Sequence, residues 1–155
     1  MNGMIFAAGL GTRLSPITDR MPKALVPVDG KPLLWHAVSH LYRYGIRHLV
    51  VNVHHFAHQV SDYLAGHSWY GLDIVISDES SQLLDTGGGL VKAIPLFRPG
   101  EPILVANADV FCNAPLDVMM ADHDQSNAAV SLMTMQRNST RQLRFNESGL
   151  LCGWV

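Results

Sequence analysis

The sequence predicts an α/β domain built on a mostly parallel sheet with helices on both faces. Three observations carry that prediction. Short apolar runs rich in β-branched residues recur along the chain, segments with apolar residues at helical spacing separate them, and polar or glycine-rich clusters follow the ends of the runs. In such sheets ligands sit beyond the carboxyl ends of the strands. Gly9 to Arg13, Asp85 to Gly89 and Asn107 to Asp109 are therefore expected to converge.

Gly3 to Ala8 is continuous in hydrophobicity, as buried parallel strands usually are. Residues 9–28 form a long loop punctuated by Pro16, Pro22 and Pro27, and a loop of that length in a small domain is more often functional than idle. From Pro32 to Tyr44, Leu34, Ala37, Val38 and Leu41 mark one face of a helix that Gly45 stops. His48 to Val53 is a second strand. Phe56 to Leu64 is a short helix with Ala57, Val60 and Leu64 inward, and Leu72 to Ile76 a third strand. After a polar loop, Ser77 to Leu84, a helix runs from Thr86 to Leu96, opened by glycines and closed near Pro95. Ile103 to Ala106 is a fourth strand, Pro115 to Asp124 a helix and Ala128 to Met135 a fifth strand. The tail from Leu143 carries two strand-like runs around Ser148-Gly149. Met119, Met120, Met133 and Met135 fall at element positions and are expected in the core.

With 155 residues, 48% of them hydrophobic and 15% charged, the chain has the composition of one globular domain, residues 1–155. A net charge of −2 gives no electrostatic footprint for nucleic acid or an acidic membrane. Two cysteines, Cys112 and Cys152, are no disulfide framework. The first apolar run is broken by Gly9 and Gly11, and no stretch reaches membrane-spanning length. A cytoplasmic, soluble protein is expected.

The opening carries the chemistry. An apolar run ends in Ala8-Gly9-Leu10-Gly11-Thr12-Arg13-Leu14, and Lys23 follows nine residues later, directly after Pro22. Glycines let bare backbone N–H groups approach an anion, and the two cations add positive charge, so the stretch is built to hold phosphates. A dinucleotide fingerprint fails, because Leu14 stands where the third glycine belongs and Pro16 interrupts the helix that should follow. The strand expected to end in a ribose-binding acid ends instead in Val53-His54-His55. No Walker loop is present in the sequence.

The stretch Gly3 to Leu34, reading GMIFAAGLGTRLSPITDRMPKALVPVDGKPLL, resembles throughout the signature of the sugar-1-phosphate nucleotidyltransferases and covers about a fifth of the chain. The resemblance implies the Rossmann-like sheet of the nucleotide-diphospho-sugar transferase type. It also implies an enzyme that joins a nucleoside triphosphate to a sugar 1-phosphate and releases pyrophosphate. Ala8, Gly9, Gly11 and Thr12 would line the nucleotide, Arg13 the outer phosphates, and Lys23 the α-phosphate and the incoming sugar phosphate. Such transfers rest on positioning and charge neutralisation, and an attacking phosphate oxygen needs no general base.

Capping by Asp85 or Thr86 accounts for a helix start but not for three consecutive glycines, each costing about 1 kcal/mol inside a helix. The resemblance places Gly87 and Gly88 against the base and ribose. The Asp85-Thr86-Gly87-Gly88-Gly89 form is similar to that of uridylyltransferases acting on N-acetylmuramate 1-phosphate, so UTP is favoured. It further implies that Asp109, at the end of the fourth strand, holds Mg²⁺ with Asn107 beside the nucleotide, although Ala108 replaces a commoner glycine. His54, His55 and His58 straddle a strand end and a helix start, and a loop-edge cluster accounts for them better than zinc.

The chain stops at Leu151-Cys152-Gly153-Trp154-Val155, in an apolar run, and relatives run longer. A truncated chain is therefore expected, carrying the nucleotide-binding part of one domain and lacking most of the acceptor pocket. Three readings stay open: the sugar nucleotidyltransferase, with UTP or as a mannose-1-phosphate guanylyltransferase; the same transfer to another acceptor; and a non-catalytic nucleotide sensor. Arg13, Lys23 and Asp109 together favour the enzyme.

Overall fold

In chain order the elements are β1 (Asn2–Phe6), β2 (Pro27–Val28), β3 (Lys31–Pro32), α1 (Leu33–Arg43), β4 (His48–Val53), α2 (Ala57–Ala65), β5 (Asp73–Asp78), α3 (Asp85–Ala93), β6 (Ile103–Asn107), α4 (Leu116–Gln125), β7 (Leu143–Phe145) and β8 (Leu151–Trp154). The computed structural model describes every residue except Tyr70 and Arg141. It divides into two units, Met1–Ala114 and Pro115–Val155.

In the first unit four strands lie parallel in the order β5-β4-β1-β6. The chain builds outward from β1 through β4 to β5, then returns to the other side of β1 for β6. That reversal opens a crevice at the carboxyl ends of the strands flanking β1, where open α/β sheets hold ligands. Register puts Phe6, Asn52 and Asn107 in one row across those ends.

Alternation along the strands divides the core between the two faces. Met4 and Val50, fully buried, pack with Ala93 of α3, flanked by Phe6, Val75, Leu90, Leu96 and Phe97. Ile5, Leu49, Val51 and Val53 point the other way and are also buried, as are Leu34, Val38 and Leu41 of α1 and Val60 and Leu64 of α2. Helices thus serve both faces of the sheet, as the α/β pattern predicts. β4 is buried along its whole length, which explains why Leu49, Val50, Val51 and Val53 are all apolar on both of its faces. Gly3 is small because a Cβ there would stand 2.7 Å from Ile46 Cγ2. Gly45 ends α1 with φ 85, a left-handed conformation that favours glycine.

Polar groups tie the opposite end of the sheet. Asn2 is fully buried; its Nδ2 donates to Arg98 O at 3.0 Å and its Oδ1 accepts from Arg98 N at 2.9 Å. His48 bridges Asp73 Oδ2 at 2.7 Å and Leu96 O at 2.8 Å. Asn2→Ala removes both sides of the first clasp and leaves buried amide groups unmatched. It is expected to cost about 2–3 kcal/mol, read as a lower urea midpoint with an unchanged slope.

The second unit holds α4, residues 126–140 without regular structure, and a hairpin of β7 and β8. Asn146 closes the hairpin turn, its Oδ1 accepting from Leu150 N at 2.8 Å, with Gly149 at φ 74. The two tail runs are therefore strands. The strand expected over Ala128 to Met135 is not formed: an extended segment becomes a strand only by pairing its N–H and C=O groups, and no ladder includes these residues. Met133 and Met135, expected in the core, are exposed at 45% and 78% for the same reason. Cys112 and Cys152 are free thiols. No helix among the described residues is long and apolar enough to cross a membrane.

Candidate active site

A cleft of about 410 Å³ opens at the carboxyl ends of β1, β4 and β6, within the first unit. Its wall begins with the loop after β1. Ala7 and Ala8 are buried as they leave the sheet, and Gly11 then turns the chain at φ 69, ψ 20. Leu14 N and Thr18 Oγ1 both donate to Gly11 O, at 2.8 and 2.9 Å, which holds the turn closed. The segment predicted as a long ordered loop folds as three short 3-10 turns, Thr12–Leu14, Ile17–Asp19 and Lys23–Leu25. The last of these, started by Pro22, returns Lys23 to the cleft.

The far wall comes from β6. Ala108 N donates to Phe6 O at 3.0 Å, so the backbone beyond Asn107 stays beside the loop after β1. Asn107, Ala108 and Asp109 line the cleft there. Lys23 Nζ and Asp109 Oδ2, 86 residues apart in sequence, form an ion pair across it. Arg13 is exposed and has no ion-pair partner among the described residues, which leaves its guanidinium available to an anion. The third wall is the start of α3, where Asp85 and Thr86 face the cleft with the positive end of the helix dipole behind them.

Ala8, Gly9, Gly11, Thr12, Arg13, Lys23, Asn107 and Asp109 thus all line one cleft. Gly87 and Gly88 stand outside that lining, just behind Asp85 and Thr86. Gly88 is small for an internal reason: a Cβ would lie 2.9 Å from Leu84 Cβ. Neither Asp85 nor Thr86 caps α3 through its side chain; Leu84 occupies the cap and Asp85 takes φ 56. His54, in the histidine cluster, shares Nδ1 with Glu79 O at 2.7 Å, and His55 packs on the Phe56 ring. Near the end of β5, hydrogen bonds from the hydroxyl and then the amide of Ser80 hold the Asp78 carboxyl below the usual range.

Asn52 and Leu83 also line the cleft, and Glu79 lies buried beneath it. Sequence reasoning misses all three. The signal for Asn52 is a lone amide in an otherwise apolar strand. Such a group must find a partner, but the sequence does not say which one.

The model of the family described as Nucleotidyl transferase matches residues 2–145. The chain belongs to the nucleotidyl transferase family. It is 41% identical over 152 residues to N-acetylmuramate alpha-1-phosphate uridylyltransferase of Caulobacter vibrioides, covering 94% of this chain and 62% of that protein. It is also 36% identical over 127 residues to the mannose-1-phosphate guanylyltransferase catalytic subunit beta of Danio rerio, covering 81% of this chain and 35% of that one. The chain therefore spans less than two thirds of the length of these relatives. Among solved structures, HddC from Yersinia pseudotuberculosis complexed with GMP-PN superposes with a TM-score of 0.77 at 20% identity, covering 99% of this chain and 68% of that one. UDP-glucose pyrophosphorylase complexed with UDP-glucose gives 0.67 at 22% identity, covering 80% and 53%. At those identities the likeness is one of fold, and it matches the sheet described above.

Proposed function

We propose that the cleft binds a nucleoside triphosphate, UTP in preference, and passes its nucleotidyl group to a sugar 1-phosphate with release of pyrophosphate. The observation that carries this reading is the meeting of Lys23 and Asp109 beside the glycine loop. A phosphate cradle alone needs no carboxylate, and a carboxylate repels phosphate unless a cation stands between them. Asp109 suits a Mg²⁺ ion held by one carboxylate, substrate phosphates and water, a hard oxygen set. Bound there, Mg²⁺ would supply neutralising charge for the triphosphate.

The chain's own residues do the rest. Backbone groups of Ala8, Gly9, Gly11 and Thr12 orient the triphosphate, with Asn107 on the nucleotide and Arg13 on its outer phosphates. A sugar phosphate oxygen, already ionised, attacks the α-phosphorus; the new P–O bond forms as the α–β bridge breaks, and pyrophosphate leaves. Lys23 turns from Asp109 to the α-phosphate, where negative charge concentrates during transfer. In this reading residues 1–155 carry the nucleotide-binding part of a single transferase domain. The Asp85-to-Gly89 segment and the 41% identical uridylyltransferase support UTP and N-acetylmuramate 1-phosphate as the pair.

Pyrophosphate release from the protein expressed from its complete reading frame tests the proposal. Each common triphosphate is paired with N-acetylmuramate, mannose and glucose 1-phosphates. UTP with N-acetylmuramate 1-phosphate is expected to be fastest. GTP with mannose 1-phosphate in first place would make it a guanylyltransferase, and release from no pair would leave a nucleotide sensor.

A further inference from the structure

Beneath the cleft runs a hydrogen-bond chain carried by two buried side chains. Asn52 Oδ1 accepts from Ala7 N at 2.8 Å, Asn52 Nδ2 donates to Glu79 Oε1 at 2.8 Å, and Glu79 Oε2 accepts from Leu84 N at 3.2 Å. Glu79 is 0% exposed and Asn52 2%. The chain begins at the residue where β1 becomes the glycine loop and ends at the residue before Asp85, so it joins two walls of the cleft through two side chains. Its roof is Gly89. A Cβ there would stand 2.7 Å from Glu79 Oε1 and 2.9 Å from Asn52 Nδ2, so the third glycine of the triplet lets α3 lie directly on the pair.

We infer that Glu79 is a positioning residue for the nucleotide: with Asn52 it fixes the distance between the glycine loop and the start of α3. Burying a carboxylate without a cation is costly, and apolar packing would fill the same space more cheaply. What an apolar pair cannot do is hold two backbone N–H groups on separate elements at a set separation. Glu79 is not catalytic, because both carboxylate oxygens are engaged and it does not line the cleft. The backbone of Glu79 is itself anchored, its N donating to Val53 O at 2.8 Å and its O meeting His54 Nδ1 at 2.7 Å. The hydrogen-bond chain touches the glycine loop and α3 but neither Lys23 nor Asp109, so loosening it should weaken nucleotide binding and spare the acceptor. This rests on the reading of the cleft as a nucleotide site.

The test measures UTP and GTP affinity by calorimetry, and both KM values, in the full-frame protein. Glu79→Gln must place an amide N–H₂ against either Asn52 Nδ2 or Leu84 N. Gly89→Ala disturbs the same pair sterically with no change of charge. Each is expected to weaken triphosphate binding about tenfold, as loss of one well-made buried hydrogen bond does, with the KM for sugar phosphate unmoved. The double variant Asn52→Asp, Glu79→Gln restores every donor to an acceptor, and should recover most of the affinity. Should Glu79→Gln fail to fold, Gly89→Ala and the double variant decide the question. Unchanged triphosphate affinity in folded variants would overturn the inference, as would an equal rise in both KM values. Wild-type protein that binds neither triphosphate would instead overturn the nucleotide reading and this inference with it.

Discussion

Asp109→Asn is expected to lower metal-dependent turnover by about 10²–10³-fold, the range of losses seen when one preorganised electrostatic partner of a transition state is removed. The fold should survive. Asp109 lies half-exposed at the mouth of the cleft, and its side chain pairs with Lys23. Losing a solvent-exposed ion pair costs about 0–1 kcal/mol. The amide keeps the shape and loses the charge that would hold a divalent cation, so the defect should not be relieved by more UTP. Turnover across a Mg²⁺ titration, with thermal melting alongside, checks both halves. Undiminished turnover would remove Asp109 from the mechanism; a collapsed melting curve would make it structural.

Gly11→Ala is expected to cost both stability and nucleotide binding. Its φ of 69 lies in the left-handed region, where a Cβ is penalised by about 1–2 kcal/mol. The added methyl would also sit 2.8 Å from Thr18 Cγ2 and 3.0 Å from Lys23 Cβ. Crowding of that kind adds about 1–3 kcal/mol, and it bears directly on Lys23, which lines the cleft. A loss of about 2–5 kcal/mol in urea unfolding, together with a sharp fall in UTP affinity, is the expected result. Gly9→Ala provides the contrast. A Cβ there meets nothing within 4 Å, so stability should hold. Any loss of affinity at Gly9 would then report the approach of a ligand to the loop.

The parts of this protein that are legible in its sequence are those whose cause is local. β4 follows the run of Leu49, Val50, Val51 and Val53, because a strand buried on both faces is apolar wherever no buried polar group is hydrogen-bonded. α1 follows the spacing of Leu34, Val38 and Leu41, and Gly45 stops it. The glycine loop is legible because phosphate binding demands small residues and cations close together in sequence. Residues 128–135 show the opposite case. Their composition favours a strand, but a strand needs a neighbour, and composition does not supply one.

The site divides in the same way. Arg13, Lys23 and Asp109 stand out by charge against apolar flanks. Asn52 and Glu79, 27 residues apart, stand out much less, because their meaning lies in their contact. The glycine triplet is conspicuous, yet the reason for two of its members is internal. Gly88 clears Leu84, and Gly89 clears the Asn52–Glu79 pair. A sequence signals that a Cβ is unwelcome; whether a ligand or a buried carboxylate excludes it is settled only by tertiary contact.

The central claim is attack at the α-phosphate of a triphosphate held between the glycine loop and Asp109. Isotope labelling of UTP tests it most directly, with N-acetylmuramate 1-phosphate as acceptor and the protein made from its complete reading frame. Label at the α-phosphate should appear in the nucleotide-sugar, and label at the γ-phosphate should leave entirely as pyrophosphate. Transfer of the γ-label to the sugar phosphate, or no transfer of either label, would contradict that claim.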